Sequence, residues 1–116
     1  MLEQGAFKPV YLNDFGYLCR DIEIRAIISR EFPGLCIHRG AFKREWRISH
    51  IKSGLCVLSH LLSAKEACFV AVILAEKAAE ISRSWEEPAN EIQKWAGAVV
   101  YRHGRPWFVI TSRAVH

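Results

Sequence analysis

The sequence has no apolar run long enough to cross a bilayer. Its most apolar stretch, residues 67–75, is bracketed by Glu66 and Glu76 and falls far short of the roughly 20 residues a spanning helix needs. The opening Met1-Leu2-Glu3-Gln4 carries neither a basic n-region nor an apolar h-region, so a secretory leader is not expected and the chain reads as cytoplasmic, with no membrane partner. No C-x-x-C pair occurs. The four cysteines, Cys19, Cys36, Cys56 and Cys68, sit inside apolar patterns, which points to reduced, mostly buried thiols and away from a disulfide scaffold. A G-x-S-x-G elbow, a cysteine-nucleophile signature, a G-x-x-x-x-G-K phosphate loop, internal repeats and low-complexity linkers are all missing. The reading is therefore non-enzymatic, with no catalytic residue, metal or cofactor assigned.

What is there is the composition of an ordinary folded chain. Of 116 residues, 51% are apolar and 24% charged, enough for one core and too few for two domains with a linker, so residues 1–116 are read as a single domain. The net charge of +4 permits an anionic partner without requiring one.

Patterning predicts an α+β chain. Asn13-Asp14 suggests a cap for a short helix over 15–20. A second helix is expected over 21–32, ended by Pro33-Gly34, although the alternation Ile22-Glu23-Ile24-Arg25 keeps a strand open. Three short strands should follow as an antiparallel meander: 35–39, 44–50 and 55–59. The second would place Trp46, Ile48 and His50 on one face and Glu45, Arg47 and Ser49 on the other. Ser63-Ala64-Lys65-Glu66 matches a capping box and opens a long, central helix through Ile81. Pro88 suits the first turn of another helix reaching Trp95 and stopping at Gly97. The tail reads as a hairpin, 98–102 and 107–111 about a His103-Gly104 turn, with Pro106 favouring an edge. The expected fold is an antiparallel sheet, meander plus C-terminal hairpin, packed against the long helix with shorter flanking helices.

Two groups of residues bear on function. Cys36, His38, His50 and Cys56 are ligand types that could surround zinc, but their spacing matches no common finger, and buried thiols with surface histidines are the plainer reading. A small enzyme using Cys36 or His50 is a further alternative. The basic residues are unevenly placed. Arg39, Lys43, Arg44, Arg47 and Lys52 face a single acid, Glu45, between residues 38 and 52; Arg102 and Arg105 lie in a tail without acids; and residues 63–95 hold six acids against four bases. The strands are thus positive and the helices near-neutral or negative. Of the four tryptophans, any left exposed would be a natural interface anchor.

Two resemblances attach to these patterns. The expected order of helix, three antiparallel strands and long helix, with Ser63-Ala64-Lys65-Glu66-Ala67 opening the last element, resembles the double-stranded RNA-binding domain. That implies phosphate contacts by Lys43, Arg44, Arg47, Lys52 and Lys65, although of that family's second-helix lysines only Lys65 is present. The run Trp46-x-x-x-His50-x-x-Ser53-Gly54, followed by Ala64-Lys65-Glu66-Ala67, is similar to a unit in small uncharacterised proteins of proteobacterial phages and mobile elements, anti-CRISPR proteins being one class among such accessory proteins. This second resemblance implies an interaction protein that binds and inhibits a host protein or nucleoprotein defence complex, with Arg39, Lys43, Arg44, Arg47, Lys52, Lys65, Arg102 and Arg105 as partner-binding residues. The alternative is a small nucleic-acid-binding domain using a basic sheet face.

Overall fold

The computed structural model describes residues 2–40 and 44–101. Strands β1 (Leu2–Phe7), β2 (Tyr11–Leu12), β3 (Leu18–Cys19), β4 (Ile24–Ser29), β5 (Leu35–Arg39), β6 (Trp46–His50) and β7 (Cys56–Leu61) precede helices α1 (Ala64–Glu80), α2 (Ala89–Ile92) and α3 (Ala96–Tyr101). Five strands form one antiparallel sheet in the order β1-β4-β5-β6-β7, while β2 and β3 pair as a separate two-stranded ribbon between β1 and β4. The architecture is α+β, as expected, with α1 on one face of the sheet.

Helices expected over 15–20 and 21–32 are absent. The first region holds β3, and the second holds β4 followed by a turn. β4 pairs with β1 over six consecutive residues, from Leu2 opposite Ser29 to Phe7 opposite Ile24. That pairing uses both sides of the strand. Ile24, Ala26 and Ile28 pack with Phe7 away from α1, while Ile27 packs under it. Two apolar faces at period 2 suit a β-branched strand sandwiched on both sides, and this tertiary demand overrides local helix preference. Four strands, β1 to β4, thus precede the meander.

The meander is found with shifted bounds, β6 starting at Trp46 and β7 extending to Leu61. Trp46, Ile48 and His50 share the α1 face, opposite Arg39, Ile37 and Leu35, whereas Arg47 and Ser49 face the other way, opposite His38 and Cys36. β7 pairs with β6 irregularly, with register shifts around Ile48, so that Val57 and Leu58 are both buried in the main core.

α1 begins where the sequence places it. Ser63 Oγ accepts from Glu66 N–H at 3.0 Å, and Glu66 Oε2 accepts from Leu62 N–H at 3.2 Å, one residue earlier than a reciprocal capping box would have it. Ala67, Val70, Ala71, Leu74 and Ala78 form its buried stripe over Leu35, Ile37, Ile48 and Leu58. Three alanines in that stripe let the helix lie close to the sheet.

Beyond α1 the chain folds back around Trp85, which is 1% exposed. Its indole N–H donates to Leu74 O at 2.9 Å, and its ring meets Trp95 edge-on at 4.7 Å. Pro88 serves as the N-cap of α2, which ends at Ile92, short of Trp95. Gly97 stops nothing; it lies inside α3. The expected first strand of the tail hairpin is helical through Tyr101, because Val99 and Val100 bury themselves in the core that α1 closes. The turn at 103–104, Pro106 and the strand expected over 107–111 lie outside the described residues.

Gly34, at φ +88°, is where the β4–β5 turn passes against the Trp85 backbone, and a Cβ there would overlap the Trp85 carbonyl. Gly34→Ala combines a left-handed backbone penalty with that collision, so it should cost at least about 2 kcal/mol in urea unfolding at neutral pH.

Candidate functional site

β6 carries most of the chemistry-bearing residues and distributes them to two faces and two ends. On the face away from α1, Phe7 reaches across the small Ala26 to lie 5.1 Å, centroid to centroid, from the His38 ring. Beneath it are Cys36 and Ser49, 0% and 1% exposed. His38 Nδ1 lies 2.8 Å from Arg39 O. A carbonyl only accepts, so Nδ1 carries the proton, and Nε2 accepts from Ser49 Oγ at 2.7 Å. His50, on the opposite face, repeats the arrangement. Its Nε2–H donates to Glu87 O at 2.9 Å, and its Nδ1 accepts from Ser53 Oγ at 2.7 Å. Burial lowers the pKa of both rings, so both are held neutral.

Contrary to the expectation of surface histidines, His38 and His50 are both buried, each ring being paired at both nitrogens within the fold. Alternation along β6 puts His50 on the α1 face, apart from Cys36, His38 and Cys56. Among the described residues no group of three or more His, Cys, Asp or Glu is placed to hold a metal. Cys36 and Cys56 are pushed up to about 12 by burial, so their thiolates are scarce at neutral pH. His50 has both ring nitrogens engaged and is fully buried. Cys36 and His50 act here as packed, satisfied core groups.

The basic residues divide. Arg47 does not present a free charge. Its Nη2 lies 3.2 Å from Oε1 of Glu45, a carboxylate 4% exposed whose other oxygen accepts from His60 N–H at 3.2 Å. Glu45 is thus a buried anchor for the bulged start of β6 and for β7, and Gly40 beside it leaves room for the carboxylate. Arg39 stacks its guanidinium 5.3 Å from the Trp46 ring centroid, with Arg44 exposed just before β6 at φ 64°. β7 returns to put Leu61 opposite Trp46, and α1 starts three residues later with Lys65 exposed in its first turn. Arg39, Arg44 and Lys65 therefore gather at one end of the sheet. Lys52 sits in the turn beyond His50, at the far end of a strand whose span from Arg44 is roughly 20 Å. Lys43, Arg102 and Arg105 lie outside the described residues.

Two features escaped the sequence reading. Leu62 and Phe69 are 78% and 67% exposed beside Lys65, where the apolar pattern of the region suggests burial; Phe69 is one helical turn on from Lys65 and shares its face. The second is Arg20, assigned to a short helix from sequence. Its guanidinium donates to three backbone carbonyls, Lys8 at 2.6 Å, Ile51 at 2.5 Å and Lys52 at 2.6 Å. No local sequence signal announces either, since both depend on how distant segments meet. No helix among the described residues is long and apolar enough to cross a membrane. Compared with known protein families, curated proteins and solved structures, the chain has no significant match.

The neutral histidines make stability depend on pH in a stated direction. An unfolded histidine takes up its proton near pH 6.5, whereas His38 and His50 in the fold resist doing so until lower pH. The unfolded state thus binds more protons below about 6.5, and folding stability should be full above that pH and fall as pH drops toward 5. This window lies above the one for Glu87, whose carboxyl is held below its usual range by the Ser84 N–H. Urea midpoints at pH 7.5 and pH 5.5 check it. At pH 8 a thiol reagent should leave Cys36 and Cys56 unmodified in the native protein and label both in urea.

Proposed function

We propose that this protein acts by binding, docking the end of the molecule that carries Arg39, Arg44 and Lys65 onto an acidic protein surface. The observation that carries the reading is the composition of that end. Three cations that make no ion pair among the described residues stand at the same end as Leu62 and Phe69, two large apolar side chains in water. A hydrophobic centre with a charged surround is the anatomy of a protein–protein contact. Phosphate tracking along the sheet is less well supported, because Arg47 is committed to Glu45, Arg20 to carbonyls, and Lys52 lies at the other end.

The resemblance to small phage and mobile-element proteins supplies the partner class to try first, a host nucleoprotein defence complex such as a CRISPR effector, inhibited by occlusion in the host cytoplasm. Four unpaired cysteines suit that reducing compartment. The proposed contact residues are Arg39, Arg44 and Lys65, with Lys43 next in the chain.

Arg44 and Lys65 are exposed, so the double variant Arg44→Glu/Lys65→Glu should fold as the parent does. It should lose protection of an invading phage in an interference assay and bind a purified effector about tenfold or more weakly. Undiminished inhibition by this variant would sink the reading. Fluorescence anisotropy with duplex RNA and duplex DNA at low and physiological salt supplies the other arm. Tight binding that weakens steeply with salt would replace the protein partner with nucleic acid.

A further inference from the structure

The β2–β3 ribbon is an arm built to hold apolar groups in water. Its tip carries Leu12, Phe15 and Tyr17, which are 67%, 84% and 70% exposed. A ribbon of two-residue strands has little stability of its own, yet this one is fixed throughout by polar contacts. Asn13 Oδ1 accepts from the N–H groups of both Phe15 and Tyr17 at 2.9 Å. The Asn13 backbone N–H donates to Tyr17 O at 2.9 Å, and Gly16, at φ +82°, closes the turn by donating to Asn13 O at 3.0 Å. At the base, Tyr11 donates its hydroxyl to Asp21, and Arg20 grips the carbonyls of Lys8, Ile51 and Lys52. Gly54 makes this grip sterically feasible, since a Cβ there would overlap the Arg20 guanidinium. A loop with no binding role gains nothing from being ordered around a phenylalanine that touches so little of the protein.

Charge selects the kind of partner. Asp14 is exposed at the tip and is the one charged residue between Tyr11 and Cys19, whereas at the base the exposed acids Asp21 and Glu23 stand with the exposed cations Lys8, Arg20 and Lys52. Insertion of Leu12 and Phe15 into an anionic membrane surface would carry Asp14 with them, against the surface charge. We infer that Leu12, Phe15 and Tyr17 form a preorganised anchor that inserts into an apolar cleft of a protein partner, with Asp14 meeting basic residues on the rim of that cleft. Arg20 ties the arm to the β6–β7 turn, so this contact lies at the opposite end of the sheet from Arg44 and Lys65, and its tip, through Asp14, carries the opposite charge. It is independent of the basic-end contact.

The full-length chain with p-benzoylphenylalanine in place of Phe15, irradiated in cells of the source organism, provides the test. The expected result has two parts. One discrete protein adduct forms and is lost when Leu12→Ser and Tyr17→Ser are added. The protein it contains, once purified, binds the wild-type chain at least tenfold more tightly than the Phe15→Ser chain, and an unchanged thermal midpoint shows that this chain is folded. Equal binding by the two chains overturns the proposal, and so does the absence of an adduct. An adduct with a second copy, joined by concentration-dependent self-association that Phe15→Ser removes, overturns it in favour of a dimer. Co-sedimentation with phosphatidylcholine or phosphatidylglycerol vesicles that Phe15→Ser abolishes overturns it in favour of a membrane. The Arg44→Glu/Lys65→Glu chain separates the two surfaces: it retains the Phe15-dependent adduct if the arm acts independently of the basic end.

Discussion

Among the described residues, the return of the chain beyond α1 is organised around one buried side chain, Trp85. Its indole N–H satisfies the Leu74 carbonyl of α1, its ring lies against Trp95, and its backbone passes so close to Gly34 that no other residue fits there. Two residues on, the Glu87 carbonyl accepts the proton of His50 at the end of β6. The helix, the β4–β5 turn, the end of β6 and the α2–α3 segment are therefore linked through loop residues 85–87. A buried aromatic with its polar atom paired adds direction to hydrophobic burial, and this is what gives the return of the chain a single solution.

The sheet is buried on both faces, one lined by apolar side chains and the other by more polar ones. Under α1 the packing is Leu, Ile, Val and Ala, with His50 as the polar exception. On the other face lie Cys36, His38, Ser49 and Cys56, in a layer that Phe7 helps to close. Each of the two histidines donates one proton to a carbonyl and accepts one from a serine, an arrangement that fixes the tautomer and favours the neutral ring. The same burial that satisfies them raises the thiols. The imidazoles and thiols thus contribute by filling space with their polar atoms paired.

The parts of the fold legible in the sequence were those set by local chemistry. Ser63 announced the start of α1, the Lys52-Ser53-Gly54 turn separated β6 from β7, and the alternation of Trp46, Ile48 and His50 fixed their common face. The N-terminal third was illegible because β1 and β4 find each other across the ribbon, and the isoleucines that alternate in β4 also fit a helix by spacing. The first half of the tail was misread for a related reason. Val99 and Val100 have strand preference, but the core under α1 offers them a helical seat. Of the basic residues, Arg39, Arg44 and Lys65 were placed where composition suggested exposed charge. Arg47 was not: alternation put Glu45 on its face, but the burial of that carboxylate depends on Gly40 and on the His60 N–H of β7, which the alternation does not reveal.

The strand order has a consequence for how the chain is made. Within the main sheet, β4, β5, β6 and β7 are laid side by side in the order of synthesis, with β1 already present to receive β4. A nascent chain can therefore extend its sheet one strand at a time, each newcomer finding its neighbour already outside the ribosome. The cover for that sheet comes later, from α1, and the residue that locks the cover in place, Trp85, comes later still. From the completion of β7 until Trp85 is made, the molecule carries a naked face of Leu35, Ile37, Ile48 and Leu58, and that interval is when it most needs shelter from other unfinished chains.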